Sequence, residues 1–100
     1  MVFEQYEEGQ VVECVGQISV PYGKHGHVHS VCVQQIQVSV QGQEVGVEDH
    51  VWIVEEQIHH DNDKIKFAGK GQWVKFVGEV EHYVHKDGQP GSGVEYVESE

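Results

Sequence analysis

Three histidines, His25, His27 and His29, occupy alternate positions in the run YGKHGHVHSVCV, just ahead of Cys32. On an extended strand, side chains two apart project to the same side. Read that way, the three imidazoles line one edge. Imidazole nitrogen and thiolate both bind zinc, and a structural zinc site closes a tetrahedron of four ligands. Three ligands on one straight segment splay apart, Cys32 has the opposite parity, and no second ligand pair stands at zinc spacing. The expectation is therefore no metal, and an exposed rim beside Tyr22 and Lys24 that gains positive charge as imidazoles protonate near pH 6.

The other reactive residue types point the same way. His59, His60, Asp61 and Asp63 fall in a polar run that reads as turn chemistry. Asp49 beside His50 has the form of an acid–base pair, but neither Ser nor Cys stands in a nucleophile context. The short run GKGQW, 69–73, lacks the length of a phosphate-binding loop and leads into a strand. No enzyme and no cofactor are expected.

The elements that carry these residues are strands. Valine-rich alternation of period two dominates the chain, and no segment has a helical period. A first strand, 11–20, has Val12, Cys14, Ile18 and Val20 on one face, with Gly16 among them as a bend, and ends at Pro21. A second strand, 28–40, switches its apolar parity between Val33 and Ile36, which predicts a β-bulge at Gln34–Gln35. A turn with Gly42 leads to a third strand, 45–55, and the polar segment 56–71 is a connection with a turn of helix. The fourth strand, 72–86, puts Val74, Phe76, Val80 and Val84 inside and Trp73, Lys75, Tyr83 and His85 outside, with His82 on the inner side. Residues 86–93 read as a mobile loop before a short closing strand, 94–99, and residues 1–10 as a frayed segment. The predicted core is Val12, Cys14, Ile18, Val31, Val33, Ile36, Val38, Val40, Phe76 and Val80.

One hundred residues suffice for one small domain, here 11–98, of all-β class: a five-stranded antiparallel Greek-key barrel. The bent first strand, the bulged second, the long connection after the third and the run GQWVKFVGEV together resemble the OB-fold. With EDHVWI, 48–53, they are similar to small OB-type proteins of bacteria and phages. That resemblance implies a ligand face of exposed aromatics beside cations, as in folds that hold single-stranded nucleic acid. Its candidate residues here are Tyr22, Lys24, His25, His27, His29, Trp52, Trp73, Lys75, Tyr83 and His85.

Charge and composition set the alternatives. The formal net charge is −11, with six Lys and no Arg, whereas nucleic-acid binders commonly carry a basic patch. A continuous acidic face would instead suit a basic protein. The alphabet is narrow: Leu, Thr and Arg are missing, and there are 20 Val and 11 Gln. This gives a third reading, an engineered scaffold rewritten in a reduced alphabet that retains no activity. No apolar run approaches membrane-span length, and two cysteines without a secretion-type start predict the reducing cytoplasm.

Overall fold

The computed structural model describes residues 2–100 and is a nearly closed, five-stranded antiparallel barrel of OB-like form. Its strands are β1 (Val11–His25), β2 (Val28–Val40), β3 (Gln43–Val54), β4 (Trp73–Val84) and β5 (Pro90–Ser99). They lie in the order β3-β2-β1-β4-β5, so β3 and β5 are the two edges and face each other across a seam. β1 is the hub. Its first half pairs with β4, from Val11 opposite Glu79 to Gln17 opposite Trp73, while Glu13 to His25 pair with β2.

A sheet this small closes only if its strands bend, and the bends have identifiable causes. In β2, Gln34 pairs with Gln17 and Gln37 with Val15, so β2 carries one extra residue, and Gln35 takes a φ of 52°. This is the expected bulge. It lets Val31 and Val33 face inward on one parity and Ile36 and Val38 on the other. Gly16 sits opposite the bulge: a Cβ there would lie 2.6 Å from Val33 Cγ1 and 2.8 Å from Ile36 Cγ1. Glycine is needed because the bulged backbone approaches too closely for any side chain.

The inner faces form one core. Val12, Cys14, Ile18, Val31, Val33, Ile36, Val38, Phe76 and Val80 are all buried, as the alternation predicted, and Ile53, Val94 and Tyr96 join them from β3 and β5. Val40, expected inside, is only half-buried where β2 runs into the Gln41–Gly42 turn. Val84, also expected inside, is 72% exposed, because β4 has by then run past the barrel.

Three further segments differ from expectation. β1 continues four residues past Pro21, through a further register irregularity between Val20 and Gly23, to His25. β5 begins at Pro90, so Gly91, Ser92 and Gly93 form ladder pairs with Tyr83, His82 and Glu81. Proline is tolerated there because it opens an edge strand. Met1 lies outside the described residues, but within the N-terminal segment expected to fray, Phe3 and Tyr6 pack on the barrel. Phe3 is 1% exposed, and Gly9 and Gln10 exchange backbone hydrogen bonds with Val80.

The 56–71 connection is also anchored. It holds short 3-10 turns at Glu55–Gln57 and Lys64–Lys66, and buries Ile58, Ile65 and Ala68. Asp63 accepts from the Ile65 amide at 2.9 Å and from the Tyr96 hydroxyl at 2.6 Å, and so ties the connection to β5. Among the described residues no helix is long and apolar enough to cross a membrane.

Candidate functional site

The histidine-rich run is a hairpin and not one straight strand. His25 pairs with Val28 and Lys24 with His29, leaving Gly26 and His27 as a two-residue turn, with Gly26 at a φ of 69°. The three imidazoles therefore do not share one side. His25 lies edge-on to Trp52, with centroids 6.0 Å apart, and its Nε2 is 3.1 Å from the Pro21 carbonyl oxygen. His29 stacks on Tyr22 at 5.8 Å and approaches the Glu55 carboxylate at 3.8 Å. His27 is exposed at the tip. Among the described residues no group of three or more His, Cys, Asp or Glu side chains is disposed to hold a metal ion.

At this hairpin end, Lys66 Nζ lies 5.3 Å from the Tyr22 ring centroid and 3.7 Å from Asp61. Burial, and then the neighbouring Glu55 and Asp61 carboxylates, push the Tyr22 hydroxyl pKa up. The rim is thus aromatic and carries cations, but carboxylates already accompany them.

The candidate aromatics of β3 and β4 separate into two places. Trp73 is 56% exposed at the start of β4, beside Gln17. Tyr83 lies ten residues further along the same strand, a run of roughly 30 Å at strand rise. The shared parity of Trp73, Lys75 and Tyr83 therefore does not make one platform. Instead, Tyr83 and Trp52 both line a groove of about 300 Å³ between β3 and β5. The two rings are 44% and 46% exposed, and each has a histidine at its edge, with Tyr83 5.1 Å from His85. Tyr83 is seated over Gly91, where a Cβ would lie 2.7 Å from the ring. Val51 and Val94 supply apolar lining.

The rest of the lining is acidic. Glu48 from β3, Glu81 from β4 and Glu95 from β5 converge on the groove. Glu48 reaches across the seam, so that a Cβ on Gly93 would lie 2.9 Å from its Oε1. Burial, and then Asp49 and Glu81, push the Glu48 carboxyl above its ordinary value, with His50 pulling the other way. Burial, and then Glu95 and Glu8, do the same to Glu81. His50 itself is held by Asp49, Nδ1 to Oδ2 at 2.8 Å. Among the described residues no lysine lines this groove and none of its three glutamates forms an ion pair. Sequence reasoning missed these glutamates because strands distant in the chain bring them together.

Comparison with protein-family models, with curated proteins and with solved structures finds no match for this chain.

The groove offers two half-exposed aromatic rings beside three carboxylates. Burial, and then Glu48 and Glu100, push the Cys14 thiol up to about 12, and burial followed by Asp49 raises Cys32. Both thiols are buried and stay protonated, which makes them poor nucleophiles. His82, expected inside, is exposed, with Nε2 2.6 Å from the Tyr6 carbonyl oxygen, and it serves to dock the N-terminal segment.

Proposed function

We propose that this chain is a non-enzymatic, OB-like binding module whose partner is a positively charged segment of another protein, received in the β3–β5 groove. The observation that carries the reading is the convergence of Trp52 and Tyr83 with Glu48, Glu81 and Glu95 in one partly buried place. Carboxylates that repel one another at a half-buried site are stabilised by a cation, and aromatic faces attract one. The groove adjoins the hairpin and the β4–β5 loop, the side on which OB barrels bind ligands. Buried, free Cys14 and Cys32 support a reducing, cytoplasmic setting.

A second reading, single-stranded nucleic acid at the hairpin rim, is favoured by one cluster: Tyr22 stacked on His29, with Lys66 over the Tyr22 ring and Lys24 opposite His29. Glu55 and Asp61 beside that cluster, and the net charge of −11, oppose a polyanion. The narrow alphabet supports a third reading, a reduced-alphabet scaffold without activity.

The test is a fluorescence titration of a Trp73→Phe variant, in which Trp52 is the remaining tryptophan. A short peptide containing both arginine and lysine is added, and separately an oligothymidine, at about pH 7.5 and about pH 5.5 with chelator present. The expected result is peptide binding at the higher pH that weakens with salt, and no response to oligothymidine there. Oligothymidine binding without peptide binding would transfer the function to the rim. No response to either would leave the inactive scaffold.

A further inference from the structure

We propose that the β3–β5 groove takes a single arginine side chain of the partner, its guanidinium set against the Trp52 and Tyr83 rings and paired with the surrounding glutamates. This rests on the reading of the groove as the docking site for a basic segment, and names the group that enters it.

Size comes first. At about 300 Å³ the groove lies at the small end of ligand pockets, enough for one long side chain and not for a folded ligand. Charge comes second. Three carboxylates from three strands meet there, and none has an ion-pair partner among the described residues. The chain has no arginine to supply, and none of its six lysines reaches the groove. His50 also lines the groove but is held by Asp49 at 2.8 Å, so a cation to pair with these glutamates comes from another molecule.

The walls discriminate between the two basic side chains. Lysine offers a compact, strongly hydrated ammonium, which loses much of its hydration on entering an aromatic-lined groove. Arginine offers a planar, weakly hydrated guanidinium that stacks on aromatic faces and bonds carboxylates through two parallel N–H groups. Trp52 and Tyr83 are flanked by His25 and His85, and Gly91 lies under Tyr83, so the two rings are braced before any ligand arrives. A rigid aromatic surface with carboxylates from several directions suits the planar cation.

The experiment is an NMR titration of the intact chain with three glycine–serine pentapeptides that carry arginine, lysine or citrulline at the centre. The Trp52 indole N–H reports binding, and the Trp73 indole N–H is the internal control. The arginine peptide is expected to shift Trp52 and leave Trp73 still, with lysine at least roughly tenfold weaker and citrulline silent. Glu81→Gln and Tyr83→Ala should each weaken arginine binding, and Trp73→Phe should not. Equal binding of arginine and lysine would overturn the arginine assignment and leave the basic-segment reading standing. Binding of neither would overturn both. Arginine binding unchanged by Glu81→Gln, in a variant whose melting shows it folded, would also remove the groove as its site.

Discussion

Asp63 is the buried carboxylate whose partners are best defined. Burial works against its charge, but hydrogen bonds from Ser99, Tyr96 and the Ile65 amide outweigh it and hold its pKa below the ordinary value. Tyr96→Phe removes the donor at 2.6 Å while keeping the ring against Phe76 at 5.3 Å. A buried acceptor deprived of a donor costs about 1–3 kcal/mol, so chemical denaturation should show a loss of that size. Little in the chain's local pattern warns of this: Asp63 reads as one of several turn residues in HHDND, and only the fold sets a tyrosine opposite it. The histidines were misread for the same reason. Period two looks like one strand, but the turn at Gly26 and His27 sets His25 and His29 on two different strands. Trp52 and Tyr83 were legible as exposed aromatics, but that they line one groove depends on the seam, which no local pattern encodes.

At the scale of the element, strands were legible where alternation is apolar and failed where small residues take over. β2 was found with its bulge because the parity switch from Val33 to Ile36 is written in the side chains. The start of β5 was missed because Pro90, Gly91, Ser92 and Gly93 carry turn propensity. There the tertiary context decides, since Tyr83, His85 and Glu48 fill the space above the glycines. The Gly16 contact gives a prediction for this scale. Gly16→Ala places a methyl 2.6 Å from Val33 Cγ1 and 3.0 Å from the Gln34 carbonyl oxygen. The bulge must shift or Val33 must leave its rotamer, at a cost of about 1–3 kcal/mol. Urea denaturation should register that loss, whereas a change of less than a few tenths of a kcal/mol would mean that β1 and β2 yield without strain.

For the whole molecule, charge sets how stability responds to its surroundings. At a net charge of −11 the folded chain repels itself, and folding brings Glu48, Glu81 and Glu95 together. Added salt at about pH 7.5 should therefore raise the melting temperature by screening that repulsion. The pH dependence has two opposing parts. Glu48 and Glu81 have folded pKa values raised above the ordinary carboxylate value, so the folded state binds their protons more tightly. Their contribution is fully present below the unfolded pKa and is lost as pH rises through the folded one. Asp63 is the reverse: its folded pKa is depressed, so its contribution is present above the unfolded pKa and lost as pH falls through the folded value. Acidification from neutrality should thus first stabilise the protein, as the groove glutamates take up protons, and then destabilise it, as Asp63 protonates. Melting curves across that range should pass through a maximum on the acidic side of neutrality. Two variants assign the limbs: Glu81→Gln should flatten the rise, and Asp63→Asn the fall. A melting temperature that declines steadily from neutrality downward, with Glu81→Gln unchanged from the parent, would show that the groove carboxylates do not repel one another enough to matter. A ligand arginine should act on the same limb, raising the melting temperature most at the pH where the groove is fully ionised and empty.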